Sequence, residues 1–281
     1  MTKIALITDL HISCRNDNEA IARVQDVFYR DFMVPLLVKA GVTSLFFGVD
    51  FFDKRSHVTL KSMDFARSLE RLFADHSLVF HCLVGNHDTA YRNTNDLNSL
   101  DTFFRNSPSV CIYSEPVELK DYNLLLVPWI NSENSETCLK MIAESKMRFC
   151  LGHFAIEGFE FHKGTVCDHG LRDSLFNGFE KVLSGHFHTK SQNGNIHYLG
   201  SPYEMSWSDW NDPRGFHIFD TETGELEFIP FEVNLFYMLD YNDGVVSCIP
   251  DAPANFGGKF VKVVVTNKGS AYDYDVWLKS I

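Results

Sequence analysis

Hydrophobic and polar positions along the N-terminal third of the chain follow two alternating patterns. Short apolar runs typical of buried strands occupy residues 4–7, 42–49 and 78–84. Between these runs, apolar residues recur at helical spacing over 17–40 and again over 59–74. The sequence therefore predicts a βαβαβ unit, in which right-handed crossovers make the strands parallel and bring their carboxyl ends to one edge of a sheet.

The first of these helices carries recognisable signals at its ends. Asn16 or Asp17 is the expected N-cap, and Gly41 follows the last turn. Pro35 is expected to distort the helix near its end, because proline lacks a main-chain N–H.

The rest of the chain predicts shorter elements and a change of pattern near its end. Helices are expected near 95–105, 133–145 and 171–176, and strands at 110–113, 117–119, 123–127, 148–151, 181–183, 195–199, 215–220 and 226–231. After Val233 the pattern changes to short strands broken by Asn242-Asp243-Gly244 and Gly257-Gly258. We therefore expect an α/β domain over 1–232 and a small C-terminal α+β domain over 233–281.

The chain is acidic, with 25 Lys and Arg residues against 37 Asp and Glu residues and a formal net charge of −12. This charge argues against wide electrostatic capture of nucleic acid, so a phosphate-bearing substrate would need a metal or a partner. The seven cysteines include no CxxC pair, which predicts reduced thiols and no disulfides. Without a signal peptide or an apolar run long enough to cross a bilayer, a cytoplasmic location away from membranes is expected.

Residues with metal-binding side chains follow the predicted strands. Asp9 and His11 stand two positions apart after the first strand, and in an extended segment such residues point to the same side. Each pair taken alone could instead cap a helix or the backbone. Taken together, the strand ends predict a ligand set: Asp9, His11, Asp50, Asn86, His153, His186 and His188.

This ligand set is large enough for two divalent ions. If Asp50 bridges them, one ion takes Asp9, His11 and His188, and the other takes Asn86, His153 and His186. Mixed oxygen and nitrogen donors suit Mn²⁺, Fe²⁺ or Zn²⁺ better than Mg²⁺ or Ca²⁺. His87 is left over as a residue that would face a substrate rather than a metal.

Five motifs occur in order along the chain: Asp9-x-His11, Asp50-x-x-Asp53, Gly85-Asn86-His87-Asp88, Gly152-His153 and Gly185-His186-x-His188. Together they resemble the signature of the calcineurin-like metallophosphoesterases, which hydrolyse phosphate esters with two metals. Further segments resemble the SbcD-type DNA-repair nucleases and the recombination nuclease subunits of tailed phages: Val127-Pro128-Trp129, Tyr198-Leu199-Gly200-Ser201-Pro202 and Asn211-Asp212-Pro213-Arg214-Gly215-Phe216. The resemblance implies a four-layered α/β metallophosphoesterase sandwich and a small C-terminal capping domain that contacts DNA.

The same resemblance implies a metal-dependent DNA exo- or endonuclease that uses two divalent ions, above all Mn²⁺, as a subunit of a recombination or repair complex. Its implied mechanism is attack on phosphorus by a hydroxide that the metals activate, while His87 protonates the leaving 3′ oxygen. Asp53 is expected to orient His87; alternatively, Asp88 orients it or caps a helix. The implied partners are DNA, a second copy of the chain and an SbcC-like coiled-coil ATPase, and a phage-encoded chain would act in the host cytoplasm.

Two other functions stay open on the sequence alone. The metal centre could serve a small-molecule phosphodiesterase or pyrophosphatase, which the acidic charge favours, or the fold could be a catalytically silent scaffold. A polar loop with the large side chains Tyr203, Trp207, Trp210 and Arg214 either contacts bases and phosphate or anchors itself to the core.

Two departures from the family pattern stand out. Val49 occupies the position before Asp50 where relatives have glycine, and its β-branched side chain is expected to crowd the metal-bearing turn. Many relatives continue beyond the capping domain into a helical segment that binds the ATPase. No obvious counterpart precedes Ile281, so the sequence could be truncated before such a segment.

Overall fold

Two six-stranded sheets form the body of the protein, in a computed structural model that describes residues 3–162 and 164–281 apart from the side chain of His162. In spatial order, the strands of the first sheet are Leu226–Pro230, Gly215–Asp220, Lys3–Ile7, Ser44–Phe47, Val79–Leu83 and Val110–Tyr113. Those of the second sheet are Ser191–Asn193, Ile196–Tyr198, Lys181–Gly185, Phe149–His153, Leu124–Val127 and Val117–Leu119. The α-helices are Glu19–Val27, Val34–Ala40, Leu60–Asp75, Ser99–Phe104, Ser135–Glu144 and Ala271–Leu278. Shorter elements are the turn Cys14–Asp17, the π-helical segment Phe28–Met33, the 3₁₀ turns Lys120–Tyr122, Asp173–Phe176 and Trp207–Asp209, and the strand pair Glu160–His162 and Thr165–Val166.

The predicted βαβαβ unit is confirmed at the centre of the first sheet. Strand Ser44–Phe47 pairs in parallel with Lys3–Ile7 on one side and with Val79–Leu83 on the other. The connecting helices bury one apolar face each, through residues such as Phe28 and Leu69. The carboxyl ends of these strands therefore share one edge of the sheet.

Three hydrophobic clusters show how the layers stack. Because alternate residues of a strand face opposite sides, Leu6 lies in the cluster between the sheets, together with Leu126 of the second sheet, whereas Ile7 lies in an outer cluster. The outer clusters pack each sheet against helices, through Phe28 for the first sheet and Ile142 for the second. The layers run helix, sheet, sheet, helix, which confirms the four-layered α/β sandwich.

The first long helix begins later than predicted. Asn18 is its N-cap, and the side-chain Oδ1 accepts a hydrogen bond from Ala20 N at 3.0 Å. The prediction of Asn16 or Asp17 is wrong because both residues have left-handed backbones, with φ of 58° and 55°, in the turn before the helix. The helix ends at Gly41, whose φ of 68° is the left-handed conformation that glycine adopts readily.

A π-helical segment, Phe28–Met33, interrupts this helix shortly before Pro35. Proline lacks the N–H of a helical hydrogen bond, and its ring collides with the carbonyl four residues earlier. A wider π-helical turn accommodates both effects. The distortion expected from Pro35 is therefore present as this turn.

The hairpin formed by Gly215–Asp220 and Leu226–Pro230 belongs to the first sheet. Strand Gly215–Asp220 pairs antiparallel with Lys3–Ile7, with Lys3 opposite Asp220. The sequence predicts the hairpin but not this position, because local periodicity does not specify which distant strand an edge will join. The chain thus builds the second sheet and then returns to complete the first.

The C-terminal region forms a separate three-stranded sheet in the order Val245–Ile249, Phe236–Asn242, Phe260–Asn267, followed by helix Ala271–Leu278. The Glu204 carboxylate joins it to the body by accepting hydrogen bonds from Leu235 N at 2.6 Å and Phe236 N at 3.0 Å. A distinct sheet agrees with the pattern change after Val233, and the division into domains 1–232 and 233–281 stays a prediction.

Among the described residues, no helix is long and apolar enough to cross a membrane. All seven cysteines are free thiols, and most of them are buried in the hydrophobic clusters. Burial raises the pKa of the Cys14, Cys82 and Cys150 thiols, which keeps them protonated at neutral pH.

Candidate metal centre

Asp9 and His11 lie beyond the first strand, which ends at Ile7. The expectation that they share one side of an extended segment is wrong, because their φ values are 55° and 44°. This left-handed backbone, which Asp and His adopt more readily than most residues, lets Asp9 N donate to Val49 O at 3.1 Å and His11 N donate to Asp50 O at 3.0 Å. Both side chains still converge on one place, since donor atoms of Asp9, His11 and His188 lie within 4.8 Å of one another.

Asp50 occupies the middle of the site. Its Oδ2 lies 3.8 Å from His11 Nε2 and 3.4 Å from His153 Nε2. His11 follows a strand of the first sheet and His153 ends a strand of the second, so the Asp50 carboxylate stands between groups delivered by both sheets. This is the position that a bridging carboxylate requires.

Two residues that pack against the Asp50 loop, Val49 and Gly85, differ in how their backbones fit it. Val49 has a φ of 92°, a conformation that favours glycine, and its side chain is buried in the cluster between the sheets. The expected crowding therefore takes the form of backbone strain, while the Val49 side chain packs among apolar residues. At Gly85, a Cβ would collide with the side chain and main chain of Asp50, so only glycine allows the two loops to approach so closely.

A second group of donors surrounds His153. Its Nε2 lies 2.6 Å from Asn86 Oδ1 and 3.0 Å from His186 Nδ1, in addition to the 3.4 Å contact with Asp50. In the first group, His11 Nε2 and His188 Nε2 are 3.2 Å apart. The structure therefore brings all seven candidate ligands to one edge of the sandwich.

These spacings suit metal coordination. Ligand atoms about 2.1 Å from one ion lie about 3.0–3.4 Å from each other in octahedral or tetrahedral geometry. The measured separations around His153 and between His11 and His188 fall close to this range. The donors are carboxylate, amide and imidazole groups. Cys14 also lines the cleft, but burial raises the pKa of its thiol and keeps it neutral. The residues present thus fit divalent ions.

Buried carboxylates dominate the electrostatics of the site. Burial lowers the pKa of His11, but the nearby Asp53 carboxylate and the charges of Asp50 and Asp9 raise it to about 9. Burial raises the pKa of Asp50, whereas His153 and His11 together bring it well below its ordinary value. Burial and the neighbouring His153 lower the pKa of His186 to about 3. The site therefore concentrates negative charge where a cation would neutralise it.

His87 borders the same cleft and contacts the main-chain oxygen of Asp53, an atom that the sequence-based expectation did not specify. His87 Nδ1 lies 2.6 Å from the main-chain O of Asp53, so this nitrogen carries a proton and donates it to the carbonyl. The Asp53 carboxylate instead faces His11, with 3.5 Å between Asp53 Oδ1 and His11 Nδ1. A further bond from His87 N to Asp50 Oδ1, at 2.9 Å, fixes the His87 backbone. Asp53 thus orients His87 through its carbonyl oxygen.

Asp88 joins the loop that carries Asn86 to the loop that carries Asp50. Its carboxylate accepts hydrogen bonds from Phe51 N at 3.1 Å, from Phe52 N at 3.3 Å and from Gly85 N at 3.0 Å. These donors are main-chain groups, so the alternative that Asp88 orients the His87 ring is not what the contacts show.

The loop after the last histidine motif is anchored to the core. Tyr203 is fully buried, and its hydroxyl donates to Leu10 O at 2.8 Å, between the two candidate ligands Asp9 and His11. Arg214 is also buried and donates to the main-chain O of His188. The alternative in which Arg214 grips phosphate is therefore wrong, because its guanidinium is occupied inside the protein.

The cleft in front of these groups has a volume of 310 Å³. Arg15 is the one arginine or lysine lining it in the described part of the chain, and the sequence motifs do not point to this residue. The Trp129 ring lies 5.7 Å from the rings of both His153 and His186. Trp129 comes just after strand Leu124–Val127, and this position at a strand end could have predicted that its ring lies beside the site.

Comparisons with known proteins identify a family and several similar proteins. A family model described as calcineurin-like phosphoesterase matches residues 2–190. Exonuclease subunit 1 of enterobacteria phage T4 is 36% identical over 230 residues, which cover 81% of this chain and 67% of that protein. The SbcD subunit of the SbcCD nuclease from Staphylococcus saprophyticus is 29% identical over 104 residues, covering 33% of this chain and 27% of that protein. A solved archaeal phosphodiesterase is 12% identical with a TM-score of 0.39, and covers 82% of this chain and 99% of its own.

Proposed function

The chain belongs to the calcineurin-like phosphoesterase family, which confirms the resemblance of its motifs, and we propose that it is a metal-dependent nuclease acting on DNA. The observation that carries this proposal is the convergence of seven donor side chains from both sheets on one cleft. The similarity to phage T4 exonuclease subunit 1 over 81% of the chain supports a nucleic-acid substrate, and we propose that this substrate is DNA.

The proposed centre holds two divalent ions. Asp9, His11 and His188 would hold one ion, Asn86, His153 and His186 the other, and Asp50 would bridge them. Bound ions would supply Lewis-acid stabilisation of the charge that develops on the phosphoryl group. Mn²⁺ is the proposed ion, because it accepts mixed carboxylate and imidazole donors.

His87 is the proposed general acid. Its Nδ1 proton is committed to the Asp53 carbonyl, so only Nε2 is available to exchange a proton with a substrate. A cationic His87 would give the Nε2 proton to the departing 3′ oxygen and remain as the neutral Nδ1–H tautomer, held by the same carbonyl. Its backbone contact with Asp50 keeps this ring beside the metal site without making it a ligand in the proposed assignment.

Arg15 is the proposed contact with substrate phosphate and links the cleft to the C-terminal sheet. Its guanidinium lies 5.7 Å from the ring centre of Phe236 and 5.3 Å from that of Phe260. Stacking of this kind limits the positions of a flexible arginine. We infer that the capping domain, residues 233–281, takes part in DNA binding through this contact.

Partners are proposed from the charge of the chain and from its relatives. With a net charge of −12, a single chain should hold duplex DNA weakly at physiological salt. Both matched relatives are named as nuclease subunits. We propose that the chain works as a homodimer in a recombination or repair complex with an SbcC-like coiled-coil ATPase. The ATPase would provide most of the affinity for DNA.

The test is hydrolysis of linear duplex DNA with Mn²⁺, compared with hydrolysis of a chromogenic phosphodiester. Wild-type chain should degrade DNA, and Asp50→Ala should lose activity on both substrates together with bound metal. Addition of the ATPase subunit and ATP should raise the rate on DNA. Asp50→Ala with full activity would refute the two-metal assignment, and DNA degradation unchanged by the ATPase would refute the proposed partner.

A small-molecule phosphodiesterase is the second candidate function, and the acidic charge of the chain is the observation that favours it. The same pair of substrates separates the two functions. Efficient cleavage of the chromogenic ester without any cleavage of DNA, with or without the ATPase, would replace the nuclease proposal with this one.

A further inference from the structure

A cavity of 560 Å³ opens at the edge of the sandwich, away from the metal cleft. It lies where hairpin Gly215–Asp220 and Leu226–Pro230 of the first sheet faces the strands around Ser191–Asn193 of the second. None of the seven candidate metal ligands lines it. The cavity is therefore a separate feature of the fold.

The layer between the sheets changes from apolar to polar as it reaches this edge. Phe219 and Leu199 belong to the buried cluster between the sheets. His217 lies two positions before Phe219 on the same strand face, and His197 lies two positions before Leu199, which directly follows strand Ile196–Tyr198. Lys181 stands in the same relation to Leu183. The strand pattern thus places two imidazoles and an ammonium group where continued packing would call for leucine or phenylalanine.

The polar groups of this cavity have few partners of their own. His217 is 4% exposed, and its described contact is with the Phe228 ring, 5.1 Å away, without a hydrogen bond. Ser191 Oγ is buried and has no hydrogen-bond partner among the residues the structure describes. Burying polar groups in this state costs free energy unless something binds to them. A polar occupant would recover that cost.

Charge around the cavity favours an anion. Lys181 and Lys190 both line it, and Lys190 Nζ sits 3.9 Å from the centre of the Phe228 ring, at the cavity wall. Glu225 is the one carboxylate in the lining, so the cationic groups are in excess. Burial and the nearby Lys190 lower the pKa of His217 to about 3, which leaves a neutral imidazole that can donate one hydrogen bond.

We propose that this cavity is an oxyanion site that binds a phosphate group, either free phosphate or the phosphate of a nucleoside monophosphate. The lining residues carry several kinds of donor: the ammonium groups of Lys181 and Lys190, the imidazoles of His197 and His217, and the hydroxyl of Ser191, which would have to turn toward the occupant. A tetrahedral phosphate presents oxygens in as many directions, whereas a carboxylate presents two in one plane. Charge-assisted bonds from Lys181 and Lys190 would provide most of the affinity.

Histidine resonances report on this site directly. The experiment uses the full chain loaded with Zn²⁺, a diamagnetic ion that suits the imidazole-rich donor set, with ¹⁵N-labelled histidine, and follows the His197 and His217 imidazoles by NMR. Inorganic phosphate and dAMP are added in separate titrations at constant ionic strength, with chloride as the reference anion. Phosphate bound at the metal cleft would shift other histidines, so the two binding events are distinguishable.

We expect saturable shifts of both imidazoles with phosphate or dAMP and none with chloride. The double variant Lys181→Met, Lys190→Met should weaken binding by at least about tenfold, since each lysine contributes a hydrogen bond to a charged group. Lys140→Met, on the exposed face of helix Ser135–Glu144, is the matched control and should bind like wild type. Tighter binding of dAMP would identify a nucleotide site, and tighter binding of phosphate a free-phosphate site.

Two results would overturn the proposal. One is the absence of saturable shifts at His197 and His217 with either probe. The other is binding that the double variant retains at full strength while its melting temperature matches that of wild type, because the lysines would then play no part.

Discussion

The carboxylate of Asp88 accepts a hydrogen bond from the main-chain N–H of Phe51, with 3.1 Å between Asp88 Oδ1 and Phe51 N. Phe51 follows Asp50, so this bond ties together two loops that carry candidate metal ligands. In Asp88→Asn, an amide NH₂ group would replace one of the two carboxylate oxygens that accept hydrogen bonds from main-chain N–H groups. Two donors would then face each other, and the free energy of unfolding should fall by about 1–3 kcal/mol. Urea denaturation measures the loss. Asp96→Asn, at an exposed position, is the control, and equal stability of the two variants would contradict the role of Asp88.

Substitution of Arg214 should destabilise the fold more than substitution at most positions outside the candidate ligand set. Its guanidinium is buried with Asp209 at 3.3 Å and Asp212 at 2.7 Å, and it also donates to the carbonyl of His188. Arg214→Met leaves two carboxylates without their cation, which should cost about 3–5 kcal/mol in the free energy of unfolding. The exposed pair of Arg105 with Asp101 offers the control, since solvent screens this pair and Arg105→Met should cost far less than Arg214→Met. Thermal denaturation that ranks the two variants equally would rule out this account.

Val49 permits a test of backbone strain. Val49→Ala removes apolar contacts between the sheets and keeps a Cβ at a φ of 92°, whereas Val49→Gly removes the contacts and the strain together. We expect the glycine variant to be more stable than the alanine variant by about 1 kcal/mol, although it buries less apolar surface. The comparison needs only the melting curves of both proteins. An alanine variant as stable as the glycine variant, or more so, would show that Val49 is not strained.

His87→Gln should separate catalysis from metal binding. If His87 is the general acid, the variant should keep the wild-type content of bound metal and lose about 10²–10⁴-fold in the rate of DNA hydrolysis. Metal analysis by mass spectrometry and a single-turnover assay give the two readings. Loss of metal would instead support the grouping in which donor atoms of His87, His11 and Asp53 lie within 4.8 Å of one another.

Arg15→Ala should weaken substrate binding more than chemistry. Removal of the cationic group in the cleft should raise KM for duplex DNA by about tenfold, the loss expected for one charge-assisted phosphate contact. The KM for a small chromogenic phosphodiester should change less, and Arg23→Ala, on an exposed helix face, is the control. A fall in kcat with an unchanged KM would place Arg15 in the chemical step instead.

Much of the site could be predicted because its signals are local. A polar residue directly after an apolar run indicates a strand end, and parallel strands bring those ends together, so the sequence alone places Asp50 beside Asn86. The prediction failed for the conformation of the backbone between the end of the first strand and the candidate ligands that follow it. The left-handed φ values of Asp9 and His11 depend on hydrogen bonds to Val49 and Asp50, which are distant along the chain.

Local periodicity does not decide every element. Residues Tyr272 to Val276 alternate polar and apolar side chains, a pattern that does not identify a helix, yet they form helix Ala271–Leu278 with Ser270 as its N-cap. The packed rings of Tyr241, Tyr274 and Trp277 show that tertiary packing decided the outcome. Similarly, the motifs indicate Asp53 as the partner of His87 without specifying the atom, and in the folded chain the carbonyl oxygen of Asp53 contacts the ring.

The return of the chain to the first sheet has a consequence for biosynthesis. Lys3–Ile7 is an inner strand, yet one of its neighbours, Gly215–Asp220, leaves the ribosome about two hundred residues later. At about 5–20 residues per second, an apolar strand edge would stay open for roughly 10–40 s during synthesis. Such an edge is a template for pairing with another chain. Nascent chains of this protein should therefore depend on chaperones until the hairpin arrives, and crowded polysomes should favour intermolecular pairing at that edge.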